Sequence, residues 1–265
     1  MKPVSVLLIS AFCVFSSCNS NSEGGKIFNF VPKEGKGAIE NKEYNLDFDE
    51  ISVAQSIRAE VVKADQEKVI VSAPSDILND ILVEKTGDKL YIHFKRGLNI
   101  STKNISVKIF AKDFSKIEVS SSADIKVRDK FTQDETTIKV SSSGSISGDF
   151  EANDLEIDGS SSGSYSGKVR AVELDVDVSS SADVNISGKA KKADMDASSS
   201  GSIDANGVTA EFADLKASSS GSVSLSVSNT LSATANSGGS VDVMKKGNLQ
   251  IISKNENSGG SVNVR

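Results

Sequence analysis

One phrase returns eight times in the second half of this chain, and its spacing limits the fold more than any other feature does. Six copies read Val119-Ser-Ser-Ser-Ala-Asp-Ile125, Val140-Ser-Ser-Ser-Gly-Ser-Ile146, Gly159-Ser-Ser-Ser-Gly-Ser-Tyr165, Val178-Ser-Ser-Ser-Ala-Asp-Val184, Ala197-Ser-Ser-Ser-Gly-Ser-Ile203 and Ala217-Ser-Ser-Ser-Gly-Ser-Val223. Two variants follow, Ala235-Asn-Ser-Gly-Gly-Ser-Val241 and Glu256-Asn-Ser-Gly-Gly-Ser-Val262. The polar part of each copy begins at 120, 141, 160, 179, 198, 218, 236 and 257, in steps of 21, 19, 19, 19, 20, 18 and 21 residues. A period near twenty, rich in β-branched residues and without helical periodicity, is too short for a helical repeat or a propeller blade. It fits one coil of a β-solenoid, whose units each pack on their neighbours. The expected fold is all-β: a right-handed parallel β-helix of about 20 residues per coil with an N-terminal β-rich cap.

Within the phrase, strict alternation would put the residue before the serines, the middle Ser, the Gly or Ala, and the closing Ile or Val on one side. That set has the apolar ends, so it is expected to face the core. Ser121, Ser142, Ser161, Ser180, Ser199, Ser219, Ser237 and Ser258 would then form an inward structural ladder, one rung per coil, with hydroxyls satisfied by each other or by backbone at a corner. The small residue that follows marks a bend with no room for a side chain.

Ahead of the repeat the strands are longer and more apolar. Candidates are Asn45 to Phe48, Ile51 to Val53, Arg58 to Lys63, Lys68 to Ser72, Lys89 to Phe94, Ser106 to Phe110 and Ser115 to Val119. Gly87-Asp88 reads as a hairpin turn, and Ser75 as the N-cap of a helical turn that runs to Ile81. Ten of the fourteen Phe and Tyr residues precede Ser120. An open solenoid end exposes apolar side chains and unpaired backbone, so residues 45–119 are expected to cap residues 120–265 and to be continuous with them.

The N-terminus carries Lys2, an apolar run from Val4 to Phe15, then Ser16-Ser17-Cys18. This is the pattern of an export signal over residues 1–17, too short to span a bilayer permanently. Small residues directly before a Cys resemble the bacterial lipobox, which would make Cys18 a lipidated first mature residue. Residues 18–44 would be a flexible tether from the membrane. The mature chain would hold one Cys and no internal disulfide.

The order Phe48-Asp49-Glu50-Ile51-Ser52-Val53, Glu67-Lys68-Val69-Ile70-Val71, Gly87-Asp88-Lys89-Leu90-Tyr91-Ile92, Val107-Lys108-Ile109-Phe110-Ala111 and Phe114-Ser115-Lys116-Ile117-Glu118-Val119, followed by the Ser/Gly repeat, resembles the putative autotransporter adhesin, head GIN domain family of Bacteroidetes exported proteins and lipoproteins. The resemblance implies a parallel β-helix and a cell-envelope role, and it brings no catalytic residues with it. Gln55-Ser56-Ile57-Arg58 stands where the family often has Gly-Ile-Asn.

Composition narrows the chemistry. The chain has one His, two Cys and no Trp. His93 therefore has no second His or Cys to join it as a metal ligand, and nucleophilic triads fail for the same reason. No metal or other cofactor is expected. Residues 120–265 hold fourteen Lys and Arg against twenty Asp and Glu, so they carry the whole net charge of -6 and argue against nucleic acid as a partner. Asp175 with Asp177, and Asp194 with Asp196, point to one face and could imitate the acids of β-helix polysaccharide enzymes. Such enzymes also use cations and aromatic platforms, which the repeat barely offers.

The expectation is a non-enzymatic outer-membrane lipoprotein, on the periplasmic face or at the cell surface, acting as an adhesin or a binding and display scaffold. Its partners would be the membrane, through the lipid anchor, and a glycan or protein ligand. Two other readings follow from the same residues. The chain could be an assembly module that forms homo-oligomers through its C-terminal solenoid end, or a polysaccharide-active enzyme.

Overall fold

The computed structural model describes residues 32–265. Strands of alternating burial dominate it, and one short 3-10 turn, Leu78–Asp80, is its single helical element among the described residues. The head contributes β1 (Ile39–Tyr44), β2 (Glu50–Val53), β3 (Arg58–Lys63), β4 (Lys68–Pro74), β5 (Ile81–Thr86), β6 (Lys89–Phe94) and β7 (Ser106–Ala111). The repeat region supplies β8 (Lys116–Val119), β9 (Asp124–Val127), β10 (Phe131–Val140), β11 (Ser145–Ser147), β12 (Phe150–Gly159), β13 (Ser164–Val178), β14 (Asp183–Ala197), β15 (Ser202–Ala217), β16 (Ser222–Ala235), β17 (Ser240–Lys245), β18 (Gln250–Glu256) and β19 (Ser261–Val264).

From β8 onward every pairing is parallel and joins a residue to its equivalent one coil later. Val119 pairs with Val140, then Gly159, Val178, Ala197, Ala217, Ala235 and Glu256 in turn. These steps reproduce the intervals between the sequence copies, so the repeat and the β-solenoid coil are the same object.

Three bends close each coil. The first is the serine corner. At the second, glycines let backbones approach: a Cβ on Gly167 would stand 1.8 Å from the Gly148 carbonyl oxygen, and one on Gly188 would stand 1.9 Å from that of Val169. At the third, two successive residues face outward between buried neighbours, as in Asn153-Asp154, Val172-Glu173 and Lys191-Lys192. Between bends the burial alternates strictly, because extended backbone sends successive side chains to opposite faces.

The serine corner corrects the sequence expectation. Ser121, Ser142, Ser161, Ser180, Ser199, Ser219, Ser237 and Ser258 are all exposed rather than inward. Each sits at positive φ, from 47° to 53°, followed by a second left-handed residue, so the chain turns outward before the small residue returns to the core. What stacks is backbone. The N–H of Ser122 donates to the Ser142 carbonyl at 2.9 Å, and the same bond recurs from Ser143 to Ser161, Ser162 to Ser180, Ser181 to Ser199, Ser200 to Ser219 and Ser220 to Ser237. The bend therefore keeps its backbone groups paired without any buried hydroxyl.

The head contains coils of its own. Gln55 and Ser56, at φ 62° and 59°, repeat the left-handed corner, and the Ser56 N–H donates to the Ser121 carbonyl at 2.9 Å. β2 pairs with β8 and β3 with β9, both parallel. Outside them lie β6, parallel to β2, and β7, parallel to β3. The coil of β2 and β3 thus lies between two coils that follow it in sequence. β5 and β4 then add antiparallel strands to β6 and β7, and β1 adds to β4, which ends the parallel stack. Gly87 turns the expected hairpin at φ 62°.

Three further expectations change. Residues 39–44, read as tether, form β1, and Lys33 is already bonded to Asn99 and Ser101. Asn45 to Phe48 is not a strand. Ser75 caps nothing: the 3-10 turn is preceded by Ile77 and has no side-chain cap. Asp76 instead accepts from the backbone N–H groups of Lys36 and Gly37 at 3.0 and 2.9 Å, which hold its carboxyl below the usual range. The expected signal peptide and Cys18 lie outside the described residues.

Candidate functional site

The side that precedes the serine corner presents two outward columns. One runs Lys116, Thr137, Glu156, Asp175, Asp194, Asp214, and the other runs Glu118, Lys139, Asp158, Asp177, Asp196, Lys216, each residue in register with the next. The parallel register places like charges about 4.8 Å apart, one strand spacing. Asp175 and Asp177 therefore do share a face with Asp194 and Asp196, as the alternation predicts. The closest approaches run between coils, Asp175 beside Asp194 and Asp177 beside Asp196.

A shallow groove of about 500 Å³ follows these columns, lined by Glu135, Asp154, Glu156, Asp175, Asp177 and Asp194 among others. Cations stand at its margins. Lys139 pairs with Asp158, and Lys216 lies 3.6 Å from Asp194 and 3.8 Å from Asp214. Among the described residues no ion pair reaches Asp175, Asp177 or Asp196. Partial burial, and next the carboxylate of Asp194, push the Asp175 carboxyl above the usual range. Burial followed by Asp196 and Asp158 does the same to Asp177, and burial outweighs Lys216 at Asp196.

These directions set the pH dependence. A carboxylate whose pKa is raised by folding costs stability at neutral pH, and the cost is relieved as pH falls through the raised value. Asp177→Asn should therefore raise the melting temperature at pH 7 by about 1–2 °C, the scale of a favourable surface change in a chain of this size. The gain should vanish in mild acid, where the wild-type carboxyl is protonated. Melting curves of both proteins from neutral pH to pH 4 test this; a gain that persists unchanged would exclude the ionised carboxylate, through its burial or its neighbours, as the cause.

Chemically, the face attracts positive charge but does not converge on a reacting atom. No three carboxylates among the described residues gather to hold a metal ion. Of the repeat's aromatics, Phe131, Phe150 and Tyr165 are buried in the core and Phe212 is half-buried at the third bend, so no aromatic platform lines the groove. His93 lies in the head, stacked on Tyr91 with ring centroids 4.2 Å apart. Its Nδ1–H donates to the Phe94 carbonyl at 2.8 Å and its Nε2 lies 3.2 Å from Glu84. The sequence pointed to the acidic pairs but not to the length of the face, which depends on register.

Comparison with curated proteins finds no match. Solved structures do match. A putative adhesin from Parabacteroides distasonis ATCC 8503 is 24% identical, with a TM-score of 0.78, covering 88% of this chain and 99% of its own. A putative adhesin from Parabacteroides merdae ATCC 43184 is 18% identical with a TM-score of 0.76, covering 88% and 98%. A putative lipid binding protein from Parabacteroides distasonis ATCC 8503 is 22% identical with a TM-score of 0.74, covering 89% and 100%. At these identities the likeness establishes the fold. A family model matches residues 47–169 and again 148–247, so its two matches overlap and span both the head and most of the coils. The chain belongs to the putative auto-transporter adhesin, head GIN domain family.

Proposed function

We propose that this protein is a non-enzymatic, lipid-anchored adhesin or display scaffold of the cell envelope, with the acidic side of the solenoid as its contact surface. The observation that carries this reading is the register-locked run of carboxylates along a shallow, solvent-reached groove. A flat charged face of this kind attracts a cationic partner from a distance and loses hold as salt is added. Family membership supports an envelope or surface location, and the Ser16-Ser17-Cys18 pattern supports an acyl anchor upstream of the head.

Protease shaving of intact cells tests the reading. The wild-type protein should stay with the membrane fraction and be cut from whole cells, while Cys18→Ser should be released from the membrane. Attachment of cells to a positively charged matrix should fall at least tenfold when Asp175, Asp177, Asp194 and Asp196 are all replaced by Asn, and should weaken with salt. Protection from protease on intact cells would exclude adhesion to external surfaces. Undiminished attachment by the Asn variant would remove the acidic face from the contact.

A further inference from the structure

The last coil differs from the others at the positions that should face the core. In β18, Ile251 lies opposite Leu231, Lys254 opposite Ala233 and Glu256 opposite Ala235. The three residues of β16 are buried at 1% exposure or less. Two of their partners are charged. Lys254 and Glu256 pair with each other at 3.3 Å, and the Val262 N–H donates to the same Glu256 carboxylate at 2.7 Å.

This end would otherwise invite association. Among the described residues β18 is bonded to β16 and β19 to β17, and neither has a strand on its outer edge, where the Val262 N–H is taken by Glu256. A bulge sets Ile251 and Ile252 side by side at 46% and 62% exposure. Two open edges that meet at one corner could pair with the same end of a second copy, turned about the axis that bisects the corner so that β18 of one copy lies antiparallel to β19 of the other. At the opposite end the outermost strands carry charge along their length, Glu40, Lys42 and Glu43 in β1 and Glu84 and Lys85 in β5. Charge on an edge, and charge pointing inward at an edge, are the devices that keep sheets from extending into each other.

We infer that the Lys254–Glu256 pair is a guard that prevents the C-terminal end of the solenoid from pairing with a second copy of this chain. Stacking another coil on this end would bury both charges and strip their water, a penalty that their mutual attraction does not fully recover. The lateral faces are left as the surfaces open to partners. This inference stands apart from the adhesin reading, since a monomeric scaffold and a monomeric enzyme would need the same guard.

Light scattering of the purified chain carrying Cys18→Ser, across a roughly hundredfold range of concentration, tests the guard. The chain with the native pair should hold the mass of one copy throughout. Lys254→Ala with Glu256→Ala, which restores the residues of the preceding coil, should associate at least about a hundredfold more tightly. Lys254→Thr with Glu256→Gln should do the same while keeping an acceptor for Val262. Charge reversal, Lys254→Glu with Glu256→Lys, should stay monomeric. Self-association of the parent chain, neutral pairs that stay monomeric, or a charge-reversed pair that associates would each overturn the inference. Neutral pairs that lose the β-sheet circular dichroism signal would also overturn it, because the charges would then serve the fold itself.

Discussion

Gly188→Ala is expected to lower the melting temperature by about 10 °C, the largest loss foreseen for adding one methyl group to the solenoid. Two costs coincide at this residue. Its φ of 131° belongs to a region that side chains rarely enter, and a Cβ there would lie 1.9 Å from the Val169 carbonyl oxygen and 3.0 Å from the Val169 carbonyl carbon. The conformational strain is worth about 1–3 kcal/mol, and overpacking against backbone that cannot rotate away adds a similar amount. Gly238→Ala is the control. Gly238 also has positive φ, 76°, but a Cβ would meet only the Ser220 hydroxyl at 3.7 Å. Its cost should be about 1 kcal/mol, the left-handed penalty alone. Gly238→Ser should be tolerated too, because Ser122, Ser143, Ser162, Ser181, Ser200 and Ser220 hold this corner position at φ between 60° and 64°. Equal losses at Gly188 and Gly238 would show that conformation, rather than the approach of neighbouring coils, sets the requirement for glycine at the second bend.

The period was legible in the sequence because every coil must repeat the same corner, and the intervals between copies became the strand register without adjustment. The orientation of the serines was misread for a physical reason. Val119, Ala123 and Ile125 are inward and separated by even numbers of residues, which imitates an uninterrupted strand. The two left-handed residues between Val119 and Ala123 preserve that parity while sending the middle of the phrase outward. Parity cannot distinguish a bend of four residues from four residues of strand.

The coil within the head was hidden because its corner is Gln55-Ser56 rather than a serine run. The signal was still present: Val53, Ile57 and Ala59 have the same spacing as Val119, Ala123 and Ile125, and all are buried. The strand order, with β6 outside β2, had no local signature, since it depends on which edges meet after the head folds. At the other end, the Glu256 that stands where the other copies of the phrase have Val, Gly or Ala marks the guarded coil.

Phe114→Ala should destabilise the junction of head and coils by about 3–5 kcal/mol, the usual cost of deleting a fully buried aromatic ring. Phe114 has no exposed surface, and its ring lies 4.8 Å from that of Phe131 and 6.2 Å from that of Phe150. Phe150 in turn lies 6.1 Å from Tyr165, whose hydroxyl donates to the Gly148 carbonyl at 3.0 Å and whose burial raises its pKa. This short aromatic spine begins where the chain leaves the head and ends at the glycine bend, so it joins the two parts through a few large side chains. The coils beyond Tyr165 have Val169, Ala171 and Ala190 near that bend, with smaller side chains to hold the same space. In a stack where each coil contacts only its neighbours, damage should stay near its origin. Hydrogen exchange should therefore speed up in β8, β10 and β12 while β16 and β17 keep their protection, and melting should separate into two steps. A single transition, with protection lost evenly to the last coil, would show instead that the whole solenoid unfolds as one unit and that the head is no separate base for it.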